Sequence, residues 1–137
     1  MAATVHSAAG AQAFAVFFVK TIDWGYATTS SAYMRHYYNP KTCGQCASVS
    51  DGIDADRKAG LHYLGDRFHI KRQSVIGGPQ HFGSEHIVQV VSLVESVTVV
   101  DAKGDIHGAD VADSAFTLQI YPAWMNGNWV IVLMNRP

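Results

Sequence analysis

Apolar residues in the first part of this chain recur at helical spacing, and from about residue 67 onward they alternate. Phe14, Phe17, Phe18, Ile22 and Tyr26 fall at i, i+3, i+4, i+8 and i+12, one face of a helix. Gln12, Lys20 and Asp23 lie off that stripe. The spacing predicts a helix over residues 8–26, and a stripe this rich in aromatic rings needs a deep surface to bury against, such as a curved sheet. Further on, Phe68 and Ile70 alternate with His69 and Lys71, which predicts a half-exposed strand over 67–76. Residues 85–100 form a long β-branched run, with Ile87, Val91, Leu93, Val97 and Val99 expected on one face and a β-bulge resetting the register. Phe116, Leu118 and Ile120 alternate again. Helices first and strands after give an α+β fold, with N-terminal helices packed in the concave face of a curved antiparallel sheet.

The punctuation between these segments is legible. Gly25 weakens the end of the first helix. Thr28-Thr29-Ser30-Ser31 offers caps for a short helix with Tyr33, Met34 and Tyr37 turned inward, and Asn39-Pro40 stops it. Ser48 or Ser50 is positioned to cap a third helix, with Asp51, Asp54 and Asp56 in its early turns, where the dipole favours acids. Val49, Ile53, Gly60 and Leu64 make its thin apolar face, and Gly65 is placed as its C-cap. Gly77-Gly78-Pro79 breaks the first strand, residues 101–105 read as a Gly-containing turn, and 106–113 as an edge strand or loop. Asn126-Gly127, flanked by Trp124 and Trp129, signals a tight type I′ hairpin, with 130–134 as the closing strand. No repeat or linker divides the chain. One domain is expected over 1–137, with residues 1–8 as a flexible tail.

A length of 137 residues suits a single core, and a net charge of -1 leaves no basic surplus for nucleic acid. No apolar run approaches the roughly 18 residues of a membrane span. The first ten residues are small and polar, without the basic start and apolar run of a signal peptide.

Cys43-Gly44-Gln45-Cys46 is the obvious chemical candidate, and three readings compete. A redox pair would use the following helix to lower a thiol pKa, but such sites follow a buried strand, and here a helix stop precedes the pair. A zinc site would need His36 or His62 to complete the ligands, and no second Cys pair exists. A structural bridge pinning the turn between two helices fits best, and it would imply an oxidising compartment. His36, His62, His69, His81, His86 and His107 do not fall at tight ligand spacings, although His81 and His86 bracket a loop that a surface metal would fit. No metal or other cofactor is expected. Asp23, Tyr26, Tyr33, His36, Tyr37 and Trp129 are candidate cavity-lining residues if the sheet closes into a cone, where desolvation would bring an Asp or His toward acid/base work. No catalytic residue is assigned, and no nucleophile elbow, phosphate loop or dinucleotide fingerprint is present.

With this order of elements, and with Asn126-Gly-Asn-Trp129-Val-Ile-Val at its end, the chain resembles the nuclear transport factor 2-like superfamily, whose fold is a cystatin-like cone. A closer resemblance, to an uncharacterised family of actinobacterial secreted proteins and lipoproteins with this cone, rests on three stretches. They are Ala13-Phe-Ala-Val-Phe-Phe with Trp24-Gly-Tyr26-Ala, then Tyr38-Asn-Pro with Cys43-Gly-Gln-Cys46 and Asp51-Gly-Ile53, then Gly60-Leu-His-Tyr63-Leu-Gly65. The resemblance implies an exported domain, secreted or lipid-anchored, with its two cysteines bridged and no known activity. The chain departs from that pattern by lacking the signal segment and the lipid-attachment Cys. The leading expectation is a non-catalytic extracytoplasmic binding domain for a protein or small apolar ligand. The alternatives are an isomerase- or dehydratase-type enzyme using the cone cavity, and a structural domain that forms a homodimer through the sheet.

Overall fold

The computed structural model describes residues 2–64, 68–94, 98–109 and 114–137. Helix α1 spans Ala8–Thr28 and helix α2 spans Gly44–Lys58, with a short 3₁₀ turn at Met34–Tyr37 between them. Seven strands follow: β1 (His62–Leu64), β2 (Phe68–Ile76), β3 (Ile87–Val94), β4 (Thr98–Val100), β5 (Ile106–Ala109), β6 (Ser114–Met125) and β7 (Asn128–Asn135). They form a four-stranded sheet in the order β2-β3-β6-β7 and a three-stranded sheet in the order β1-β4-β5, with every pair antiparallel. Helix α1 touches β1, β2, β3, β6 and β7, so it fills the concave side of the layer. The fold is the α+β cone read from the sequence.

The Phe stripe behaves as its spacing requires. Phe14, Phe18 and Ile22 are buried against Val88, Val90, Leu118, Ile120, Ile131 and Met134. The helix begins at a side-chain cap, with the Gly10 N–H donating to Ser7 Oγ at 3.0 Å. It ends at Thr29, held in the left-handed region at φ 52°. Gly25 does not end it. A Cβ there would lie 3.1 Å from the Ser30 carbonyl oxygen and 3.2 Å from Ile53 Cδ1, so glycine is what lets α2 pack this close.

Several boundaries differ from the sequence reading. The Thr/Ser run serves the end of α1 rather than a new start: Thr28 Oγ1 donates to the Trp24 carbonyl at 2.8 Å, and the 3₁₀ turn has no side-chain cap. Met34 is buried, Tyr37 is half-buried, and Tyr33 lies on the surface. Helix α2 starts directly on the cysteine pair, capped by Cys43, so Ser48 and Ser50 lie inside it. Asp51 and Asp54 therefore sit beyond the first turn, and Arg35 is what holds them, at 3.0 Å and 2.6 Å. The helix stops at Lys58, and Gly60, at φ +75°, takes the terminating role assigned to Gly65. Gly65 lies outside the described residues, and Leu64 is an exposed residue of β1.

The 85–100 run is two strands in two sheets, with 95–97 between them outside the described residues. Register shifts fall between Ile70 and Arg72 where β2 pairs with β3, and between Val99 and Val100 where β4 pairs with β5, the second within the run. In β3 Ile87, Val91 and Leu93 share one side, but it is the side away from α1: Val88 and Val90 join the main core, while Ile87 packs with Tyr121, Ala123 and Val132. A run that is β-branched on both faces carries no period-two signal, so packing alone decides which side faces α1. The β2–β3 loop folds back over this outer patch. The His81 ring lies 5.5 Å from Tyr121, and a Cβ on Gly78 would come within 2.5 Å of Ile87 Cδ1.

The two turn predictions hold. Asp101 Oδ1 accepts the N–H groups of Lys103 and Asp105, with Gly104 at φ +85°. In the last hairpin Asn126 and Gly127 have φ 51° and 79°, and Trp124 pairs with Trp129. Residues 106–109 form an edge strand of the smaller sheet, and 110–113 lie outside the described residues.

The described residues before α1 are docked rather than a loose tail. The Val5 carbonyl accepts from Trp129 Nε1 at 3.0 Å, and the His6 ring stacks on Trp124 at 4.8 Å. His6 Nε2 also meets Glu85 Oε1 at 2.8 Å. The Trp hairpin supplies the docking surface, which a small, polar sequence does not advertise.

Candidate functional site

The cone encloses a cavity of about 360 Å³, open on one side. Helix α1 contributes Ile22 and Tyr26, and α2 contributes Gln45 and Val49. Strand β1 adds Tyr63, β2 adds Phe68 and β3 adds Val94. Phe116 and Leu118 come from β6, Met134 from β7, and Arg136 from just beyond β7.

These positions follow from local structure. Tyr26 is the last member of the α1 stripe, one turn past the well-filled part of the core. Gln45 and Val49 lie one turn apart on the start of α2. Phe116 and Leu118 share the inward face of β6 because successive inward positions are two residues apart.

One wall is a run of rings meeting edge to face. Tyr26 lies 5.5 Å from Tyr63 and 6.0 Å from Phe68, and Phe68 lies 5.3 Å from Phe116. The Arg136 guanidinium sits 5.4 Å over the Phe116 ring, a cation–π contact at the cavity rim. Arg136 is exposed and has no acidic partner among the described residues. The Tyr63 hydroxyl donates to Asp56 Oδ2, tying β1 to the end of α2.

Helix α2 is fixed at two places along its length. Cys43 and Cys46 are joined by a disulfide, both are fully buried, and Cys43 Sγ accepts the Cys46 N–H at 3.3 Å. Arg35 then clamps the helix side, donating to Ser31, Asp51 and Asp54, while the Tyr38 hydroxyl donates to Ser50 at 2.8 Å. The Ser31 hydroxyl and then Arg35 hold the Asp54 carboxyl below its usual range, and Asp54 and Asp51 raise Arg35 in turn. Burial of both sulfurs leaves no exposed thiol face for exchange chemistry.

The six candidate cavity residues do not converge. Only Tyr26 lines the central cavity. Asp23 lies on the outer side of α1, where Oδ1 accepts the Phe68 N–H at 3.3 Å. Tyr33 is exposed beside Trp24, 5.5 Å between ring centres. His36, Tyr37 and Trp129 line a separate groove at the hairpin end, with Phe17 and Trp124. The hydrogen bond between the Tyr37 and Tyr33 hydroxyls raises the Tyr37 phenol above its usual value. Phe14, Phe18 and Trp129 are buried and fill the end of the cone away from the cavity.

Asp23, Tyr33 and Tyr37 are near one another in sequence, but the turn after α1 sends Tyr33 and Tyr37 back along α1 to Phe17. Gln45, Val49, Tyr63, Phe68, Phe116 and Arg136 were not assigned to the site from sequence. Alternation of Phe68 and Phe116 was the available signal, whereas nothing local marks Arg136. His81 and His86 form no metal cluster: among the described residues, no three His, Cys, Asp or Glu side chains converge. No Asp, Glu or His is among the described residues lining the central cavity.

No protein-family model matches the chain. No curated protein matches it either. Among solved structures, the chain is similar to the intermembrane space region of the chloroplast protein ARC6. The two share 15% identity at a TM-score of 0.53, over 91% of this chain and 95% of that one. It is also similar to Aln2 from a Streptomyces species, with 15% identity and a TM-score of 0.38, over 90% of this chain and 85% of that one. At this identity the likeness to the ARC6 region shows a shared fold and nothing about activity.

Proposed function

We propose that this chain is a non-catalytic extracytoplasmic binding domain whose cone cavity takes a small apolar ligand with an acidic end. The observation that carries the reading is the pairing of an aromatic wall with Arg136, the cation that the described residues place at the open rim. The volume suits the low end of small-molecule sites. At about 30 Å³ per water-sized atom it holds about a dozen non-hydrogen atoms. Tyr26, Phe68 and Phe116 would contact the apolar body, and Arg136 the carboxylate, whose charge a guanidinium matches in a fixed fork.

Work outside the cytoplasm is supported by the bridged cysteines, since such bonds persist in oxidising compartments. Among the described residues no helix is long and apolar enough to cross a membrane. The motif resemblance to secreted actinobacterial proteins and lipoproteins points the same way.

The test is a fluorescence titration with 2-naphthoate and with its neutral analogue 2-acetylnaphthalene. Naphthoate is expected to bind more tightly, with Arg136→Gln weakening it about tenfold, or about 1.4 kcal/mol, and leaving the ketone unchanged. Val94→Trp, which fills the cavity, is expected to abolish both. Equal affinity of naphthoate for the parent and Arg136→Gln proteins would refute the acid-binding assignment, and binding that survives Val94→Trp would refute the cavity.

A further inference from the structure

The four-stranded sheet has two edges, and among the described residues only the β7 edge carries a further backbone bridge. Along β7, Ile131 bridges Tyr38 in parallel, and its carbonyl accepts the Asn39 N–H at 2.9 Å. Among the described residues strand β2 pairs with β3 alone, and it runs for nine residues, with Lys71, Arg72, Gln73, Ser74 and Val75 all exposed. An edge this long leaves a row of backbone donors and acceptors turned to solvent. A groove runs beside it, walled by Val16, Val19 and Lys20 of α1 and by His69, Lys71 and Gln73 of β2.

Two details set its specificity. Asp23 meets the outward N–H of Phe68, so the edge is closed at that end and open from Ile70 onward. Lys20, Lys71 and Arg72 carry three positive charges with no acidic partner among the described residues. We propose that the β2 edge docks an extended acidic peptide, which adds as a fifth strand and lays alternate side chains into the groove against α1. Main-chain bonds to the edge would supply affinity, and the three cations would select acids over bases. A second copy of this chain fits less well. Antiparallel pairing of two β2 strands centred on Arg72 sets Arg72 against Arg72 and Lys71 against Gln73, and like charges directly opposite are destabilising. The groove shares only Phe68 with the cone cavity, so this docking does not depend on the cavity reading.

The probe is an acetylated, fluorescein-labelled (Glu-Val)4 peptide, with (Lys-Val)4 as control, followed by anisotropy at low salt. Binding of the acidic peptide is expected, with no binding of the basic one. Lys71→Glu with Arg72→Glu should weaken it at least tenfold, and so should Lys20→Glu alone, a surface change on a different element. Amide exchange should slow across residues 70–75 in the complex. Equal affinity for the two peptides, unchanged affinity in both variants, or protection confined elsewhere would overturn the proposal. So would sedimentation showing a peptide-free dimer with the β2 amides already protected.

Discussion

Replacing Cys43 and Cys46 together with Ala tests how the start of α2, and through it one wall of the cavity, is held. The bond closes a loop of only four residues. In the chain-entropy model that constraint removes about 6 cal/mol/K from the unfolded chain, about 2 kcal/mol at 25 °C. Cys43 is also the helix cap, its Sγ accepting the Cys46 N–H. Losing a cap acceptor costs about 1 kcal/mol more. The sum of about 3 kcal/mol is a large share of the 5–15 kcal/mol typical of a domain. Urea unfolding of three samples separates the parts. Reduced parent protein should lose about 2 kcal/mol, because its thiol still caps, and the double-Ala protein about 3 kcal/mol. Naphthoate affinity should fall with it, since Gln45 and Val49 stand on the loosened turn. A double-Ala midpoint equal to that of the oxidised parent would refute the reasoning. It would mean that Arg35 and core packing alone set the turn.

Two further outcomes follow from the core and the clamp. Phe18 is fully buried in the centre of the α1 stripe, so Phe18→Ala should lower stability by about 3–5 kcal/mol in the same urea assay; a loss under about 1 kcal/mol would show the cone is not packed around it. Asp54 has a carboxyl held low by Ser31 and Arg35, so its contribution is present above the ordinary carboxylate pKa of about 3.9 and is lost as pH falls through the lower folded value. Unfolding midpoints measured from pH 5 to pH 2 should therefore fall more steeply for the parent than for Asp54→Asn, and parallel curves would sink that assignment. The effect should be modest, because Arg35 and Asp54 are about half exposed.

The legible parts of this fold were those in which one residue type dictates one local geometry. Asn126-Gly127 fixed the last hairpin because both positions need positive φ, and Phe14, Phe18 and Ile22 fixed the buried face of α1 by spacing alone. Where both faces of an element were apolar, spacing was silent on which would face α1: β3 turned Val88 and Val90 inward. Caps were misplaced where a rarer group filled the role, as with Cys43 at the start of α2. The candidate site was legible only at Tyr26, because a cavity is made by residues far apart in sequence whose distances no local pattern encodes.

The helix stripe and the tight turns were properties of the sequence by itself, because each rests on interactions within a few residues. The tertiary structure alone decided that His6 would dock on the Trp hairpin, that Asp51 and Asp54 would serve Arg35, and that Arg136 would stand over Phe116 at the cavity rim. Those contacts join residues that meet only after the sheet has curved around α1, and the curvature is set by the packing of the whole layer.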